Sequence, residues 1–288
     1  MLRINNISMP LEADEQKLRQ KVAARLGIKE TELKNFKVSK KSVDARNKNN
    51  VHFVYSADCQ NSVQIQDKDI EQLAEPEKLV FRIKSSGIRP VVAGSGPAGM
   101  FAGLALAEAG LNPIILERGA PVEQRQKDVL QFWQTGVLKT DSNVQFGEGG
   151  AGTFSDGKLM TGIKKDKFTA KVLHEFAAAG APPEILYLAK PHIGTDKLRL
   201  VVKNIRQKIT ALGGEYRFNS KLENLIIRDN KLHAVRVLSD TGEYELPADR
   251  LFLAVGHSAR DTFEMLLKAG VHMEQKPFSV GVRIEHKQ

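Results

Sequence analysis

The stretch IRPVVAGSGPAGMFAGLALAEAGLNPIILERG, residues 88–119, decides the fold. Its first apolar run, Val91, Val92 and Ala93, predicts a short buried strand. That strand runs into Gly94, Gly96 and Gly99, a G-x-G-x-x-G pattern at a strand-to-helix turn. Each glycine has a physical task there: Gly94 permits the tight turn, Gly96 lets a pyrophosphate approach the backbone, and Gly99 lets the helix pack on the sheet. Pro97 suits the first helical turn, where its missing N–H costs nothing. Ser95 and Ala98 complete the loop, whose free N–H groups and helix dipole favour a phosphate. The helix is small and apolar as far as Gly110, and a second buried strand, Ile114–Leu116, delivers Glu117. Glu117 lies 23 residues after Gly94, where an acid is suited to bonding adenosine ribose hydroxyls. Strand, turn, helix, strand and acid occur together in one βαβ unit, and together they point to a dinucleotide. The Glu117 charge opposes the 2′-phosphate of NADP, an argument that Arg118 weakens.

Around this unit the chain has 288 residues, 41% hydrophobic and 27% charged. That is ordinary globular usage and excludes wholesale disorder, collagen and coiled coil. The opening MLRINNISMPLEADEQ has no apolar signal-peptide core, and no apolar run reaches the roughly 18 residues of a membrane helix. Cys59 is the only cysteine, which excludes intramolecular disulfides, dithiol redox motifs and structural zinc clusters. The expected setting is a reducing cytoplasm, without a membrane. No histidine shows metal-ligand spacing, so no metal is expected. A net charge of +9 over a chain this long reads as a solubility feature.

Residues 1–84 read as a separate small unit. Leu18, Val22 and Leu26 share one helical face, with Asp14 as N-cap and Gly27 as C-cap. Two strand-like runs follow, Leu33–Val43 and Val51–Tyr55; a second short helix is expected near Asp67–Leu73 and a strand at Leu79–Ile83. The resulting βαββαβ order predicts a ferredoxin-like α+β module. SSGIRP, residues 85–90, has linker character. The module carries Lys34, Lys37, Lys40, Lys41, Arg46 and Lys48 around a single acid, Asp44. One reading is a face for nucleic acid or an acidic partner. The other is a lysine-protected sheet edge, and it is preferred because the run lacks the interleaved aromatics of a base-stacking platform.

Three features give the dinucleotide an identity by resemblance. GSGPAG and the ERG ending resemble the FAD site of glutathione-reductase-like flavoproteins. FNSKLENLIIRDNKLHAVRVLSDTGEYEL, residues 218–246, looks like the β-meander of those domains. AVGHSA, residues 254–259, is similar to the signature that closes the meander near the flavin, with Val255 in place of the usual threonine. That resemblance implies adenine contacts around Lys221–Leu222 and a cofactor contact at the Gly256–His257 backbone. With ERGAPVEQRQKDVLQFWQTG, NVQFGEGGAGTFSDGKLMTGI, KPHIGTDKL and KKSVDAR, the chain resembles the uncharacterised FAD-dependent dehydrogenases of bacteria. The resemblance implies an α/β fold with a Rossmann-like FAD-binding domain, and an FAD-dependent oxidoreductase of unknown substrate.

The remaining site candidates come from residue chemistry. Gly149, Gly150, Ala151, Gly152 and Gly157 form a loop able to bring N–H groups near phosphate or flavin oxygens. Thr153, Ser155 and Asp156 are candidates for contacts to the flavin ring or ribityl chain, and Lys158 for a positive charge beside a reduced flavin. Arg125 reads equally as a phosphate ligand or a helix-surface residue. His192 and His257 are candidate proton donors or substrate anchors, with His192 and Lys158 the catalytic candidates. NAD(P)H is a possible electron donor, although no second glycine fingerprint is present to bind it. Flavin domains of this kind usually carry a late Gly-Asp motif, and none follows Gly256. The tail KPFSVGVRIEHKQ alternates as a strand would, so the chain reads as the amino-terminal part of a longer enzyme. The division expected is a small domain at 1–84, an FAD domain at 88–160 and 195–265, and a partial substrate domain at 161–194 and 266–288. Two other functions fit the same residues: a nucleotide-binding module acting on RNA through residues 1–84, or an inactive truncated flavoprotein.

Overall fold

A computed structural model describes residues 1–61, 63, 66–74, 85–154, 157–159, 167–282 and 284–286. The first layer is a sheet of β1 (Leu2–Met9), β2 (Lys34–Asp44), β3 (His52–Gln60) and β4 (Ile70–Gln72), ordered β2-β3-β1-β4 with antiparallel neighbours. Helix α1 (Glu15–Leu26) covers it. Asp14 accepts the Lys17 N–H at 2.9 Å, and Gly27 ends the helix with φ 66°, a conformation glycine adopts without strain. Leu18, Val22 and Leu26 pack on Ile4, Ile7, Ala57 and the buried Cys59. The helix expected near Asp67–Leu73 is replaced by a turn and β4. One local and one long-range contact favour this outcome: Asp69 donates its N–H to Asp67 Oδ1 at 2.9 Å, and Arg25 of α1 holds both carboxylates at 2.9 Å. Ile70–Gln72 can then complete the ladder on β1. The expected strand at Leu79–Ile83 lies outside the described residues.

The second body is a three-layer arrangement. A parallel sheet ordered β11-β5-β6-β7 is formed by β5 (Val91–Ala93), β6 (Ile114–Leu116), β7 (Glu215–Arg217) and β11 (Leu251–Leu253). Its period of two decides the layering. Val92 and Ile115 face α2 (Pro97–Glu108) and α5 (Thr195–Ala211), burying Leu104, Val201 and Ile209. Val91, Ala93, Ile114 and Leu116 face the other way, onto Leu222, Val235, Val237 and Leu246. Those four belong to an antiparallel meander, β8 (Ser220–Arg228), β9 (Lys231–Ser239) and β10 (Gly242–Pro247), as the alternating pattern predicts. Asp229 and Asn230, at φ 49° and 57°, make the two-residue turn between β8 and β9.

Helices α3 (Val122–Thr135), α4 (Lys167–Ala178) and α6 (Arg260–Lys268) complete the body. Phe176 of α4, with Ile185 and Ile193 beyond it, is buried in the same core as Leu104 of α2. No strand forms in the described tail. Phe278, Val280, Val282 and Ile284 are each at least 80% exposed. An isolated extended segment has no ladder to hold it, so alternation alone does not make a strand. Among the described residues no helix is long and apolar enough to cross a membrane.

Candidate functional site

The glycine-rich turn sits at the carboxyl end of β5. Gly94 has φ 96°, and a Cβ there would strike the Ala254 carbonyl that closes the turn from β11. A Cβ on Gly99 would overlap the Gly94 carbonyl and meet the Ala254 Cβ at 3.2 Å. These two glycines are required by the protein itself. Gly96 is not: its φ is −66°, and a Cβ would find only the Gly150 Cα, at 3.7 Å. Gly96 is also the N-cap of α2, Pro97 is the first helical residue, and no side chain caps the turn. The result is an open cradle at a helix N-terminus, the shape and polarity an anionic pyrophosphate fits.

Glu117 follows β6 and is buried at the floor of this cradle. One carboxylate oxygen accepts the Ser95 N–H at 2.8 Å and the Ser95 Oγ–H at 2.7 Å; the other accepts the Gly119 N–H at 2.9 Å. The carboxylate therefore ties the glycine turn to the end of β6. Arg118 points toward α6, bonding Asp261 at 3.0 Å and Thr262 at 3.1 Å with its guanidinium 4.8 Å above the Phe146 ring.

A cavity of about 520 Å³ joins Gly94–Ala98, Glu117, Arg118, Gly150–Ala151, Leu222 and Gly256–His257. It thus gathers candidates that are far apart in the chain. Its wall also includes Phe146, Thr262 and Phe263, which the motifs did not mark. For Phe146 the one sequence signal is its place directly before the glycine-rich loop. His257 is exposed, with Nδ1 2.8 Å from the Ser258 Oγ, and Gly256 beside it has φ 75°. Gly149, Gly152 and Lys158 face a smaller cavity of about 140 Å³ instead, with Pro97 lining both. Thr153 lines neither. It is fully buried with its Oγ1 3.5 Å from the Glu148 carbonyl, so its expected contact to flavin gives way to a packing role. Ser155 and Asp156 lie outside the described residues. His192 is exposed and lines neither cavity, yet it is bridged to Lys158 through the backbone. The Leu159 N–H donates to the Pro191 carbonyl at 2.9 Å and the Ile193 N–H to the Gly157 carbonyl at 3.0 Å.

Arg125 requires a correction. It is neither a phosphate ligand nor a helix-surface residue but is wholly buried. Its Nε donates to the Asn143 carbonyl at 2.8 Å, Nη1 to Glu148 at 2.7 Å and Gly150 at 2.8 Å, and Nη2 to Val144 at 3.1 Å. Burial pushes its pKa down to about 10, still well above neutrality. The guanidinium fork is a template around which residues 143–150 turn, which places Gly150 against Gly96.

Glu148, in that same loop, is 1% exposed. One oxygen accepts the Val122 N–H at 2.7 Å, and the other lies 3.3 Å from the Arg206 Nε without hydrogen-bond alignment. Burial raises its pKa from 4.5 to about 7. Because the folded value lies above the unfolded one, unfolded chains release this proton first as pH rises. Stability contributed at Glu148 is therefore highest below about pH 4.5 and falls by roughly 3 kcal/mol up to about pH 7. Urea unfolding of the wild type and Glu148→Gln across this window should show the variant gaining relative stability with pH. A constant difference contradicts the assignment.

Among the described residues no group of histidines, cysteines and acids is arranged to hold a metal. The basic cluster of the first layer is partly neutralised: Arg46 pairs with Asp44 at 2.6 Å, Lys37 lies 3.9 Å from Asp58, and Lys41 sits 4.1 Å over the Phe53 ring.

Residues 89–127 match the family described as FAD binding domain, and residues 1–60 match a domain of unknown function, DUF8436. The whole chain aligns at 46% identity over 295 residues with an uncharacterized protein of Clostridium beijerinckii. The chain spans about half of that relative, 54% of its length. Two solved structures are similar at a lower level. Thermovibrio ammonificans THI4 has a TM-score of 0.43 at 17% identity, covering 64% of each chain. The p-nitrophenol 4-monooxygenase PnpA from Pseudomonas putida has a TM-score of 0.35 at 17% identity, covering 62% of this chain and 42% of its own.

Proposed function

We propose that this chain is the cofactor-binding part of an FAD-dependent oxidoreductase. One observation carries the reading: a single cavity at the carboxyl end of the parallel sheet unites the cradle at Gly96, the buried Glu117, Leu222 of the meander and the Gly256 turn. The match of residues 89–127 to the FAD binding domain supports the identity of the dinucleotide. In this reading the N–H groups at the start of α2 hold the pyrophosphate, and Glu117 with the Ser95 turn meets the ribose. Leu222, on the same cavity wall, would flank the adenine. The fold is a Rossmann-like, glutathione-reductase-type domain with its meander, preceded by a ferredoxin-like module in which a turn and β4 stand in place of the helix expected near Asp67–Leu73.

FAD when bound supplies the hydride or electron chemistry, for which the described side chains have no redox group of their own. The protein's part is to bind, orient and exclude water. Lys158 would offer a positive charge from the smaller cavity, which shares Pro97 with the larger one, and His192, bridged to it, is the candidate proton donor. We assign dehydrogenase chemistry, an unidentified small-molecule substrate and a cytoplasmic setting, with NAD(P)H as one candidate donor. Residues 88–160 and 195–265 form the FAD domain in this assignment. Residues 167–194 join its rear layer because Phe176 and Ile185 share its core. Residues 266–288 are assigned to a substrate domain.

Fluorescence titration of the purified chain with FAD tests the site. The wild type should quench flavin emission, and Glu117→Ala should lower the affinity at least about tenfold, a change of about 1.4 kcal/mol. Equal affinity in the two proteins, or unaltered emission with both, contradicts the reading.

A further inference from the structure

The edge of the amino-terminal sheet and the loop carrying Lys158 are hydrogen-bonded to the same short run of chain. β2 lies at the outside of its sheet, and Lys41 turns both of its backbone groups outward. Its N–H donates to the Tyr187 carbonyl at 2.7 Å, and its carbonyl accepts the Ala189 N–H at 3.0 Å. Leu188 thus forms a single parallel bridge with Lys41 of β2. Only Lys190 separates this pairing from the next, in which Pro191–Ile193 pair with Gly157–Leu159. The run turns at Tyr187 and bends at Ala189–Lys190 between the two pairings, and Pro191 stiffens the start of the second.

Side-chain packing beside the first pairing is open. A cleft of about 660 Å³ separates Lys37 and Tyr55 of the sheet from Pro183 and Tyr187. Backbone bonds are therefore the stiff part of this contact. The buried Ile185 and Ile193 anchor the run in the core of the second body.

We propose that the amino-terminal sheet is a positioning element for the Gly157–Leu159 segment, acting through residues 187–193. Its edge anchors Tyr187 and Ala189 through two backbone bonds, and that anchoring presents the Pro191 carbonyl and Ile193 N–H to the segment bearing Lys158. The module thereby acquires a role at the second cavity without touching it. The consequence for FAD rests on the function proposed above; the mechanical coupling does not.

The test is amide hydrogen exchange on the 288-residue chain without FAD, comparing Lys41→Pro, Ala189→Pro and Lys41→Ala. Proline removes one donor of the pairing and leaves the β2–β3 ladder intact, because the Lys41 N–H points away from β3. Each proline variant should accelerate exchange at Leu159 and Ile193 at least about tenfold, with Gly149 unchanged. Lys41→Ala keeps the backbone bonds and should match the wild type. If one proline variant also loses Gly149 protection, it has unfolded more widely and the other variant decides. Unchanged Leu159 and Ile193 exchange in a variant that keeps Gly149 protected overturns the proposal. So does acceleration in Lys41→Ala, which would assign the effect to the side chain. A parallel FAD titration should show a several-fold weaker affinity in the proline variants. Failure of the wild type to bind FAD would count against the proposed function alone, since the exchange result needs no flavin.

Discussion

Arg125→Ala should lower the unfolding free energy by about 4 kcal/mol, because removing the guanidinium orphans several buried carbonyls at about 1–3 kcal/mol each before water relieves some of them. For a body of this size that corresponds to a fall in melting temperature of about 10 °C. All five of those carbonyls, on Asn143, Val144, Gly147, Glu148 and Gly150, belong to one loop, so the damage should concentrate there. Limited proteolysis should find new cleavage between residues 139 and 151 before any global unfolding. Arg125→Lys should recover only part of the loss, since an ammonium has three donors and no planar fork. Urea midpoints check the magnitude. A loss under about 1 kcal/mol in Arg125→Ala would mean that the loop holds its own shape.

The second large effect separates two glycines of one motif. Gly99→Ala pushes a methyl into the Gly94 carbonyl, a backbone atom that cannot rotate away. The expected cost is about 3 kcal/mol, with loss of FAD binding as the turn shifts. Gly96→Ala places its methyl where the nearest atom is 3.7 Å distant. Its stability should stay within about 1 kcal/mol of wild type while FAD affinity falls at least about tenfold. Thermal melts and flavin titrations of both variants form the comparison. Equal destabilisation by the two alanines would remove the ligand-based reason for glycine at position 96.

Local chemistry made much of this structure legible in the sequence. The Asp14 and Gly27 caps of α1, the β5–α2–β6 unit and the meander all follow from spacing and turn residues that act on their near neighbours. Gly94, Gly96 and Glu117 stand just after strands whose period can be read, whereas Leu222 and Gly256, on the same cavity, are marked through the family resemblance. Arg125 was not legible. Nothing about an arginine in a helix announces that its partners are carbonyls some 20 residues later, which only the folded loop brings together. Glu148 is a similar case, buried by the packing of α3 and α5 around it rather than by its own neighbourhood. The misplaced helix at Asp67–Leu73 has the same origin, because Arg25 reaches those two aspartates from another element. The tail shows the converse error: alternation at Val280, Val282 and Ile284 states a preference, and a strand also needs a partner.

Gel filtration of the purified chain after incubation with FAD, followed by the absorption spectrum of the protein peak, tests the central claim most directly. The account predicts flavin absorbance travelling with the protein at about one flavin per chain, reduced in Gly96→Ala and Glu117→Ala at the same loading. A colourless protein peak, with all FAD in the small-molecule fraction at concentrations far above any useful affinity, would contradict it.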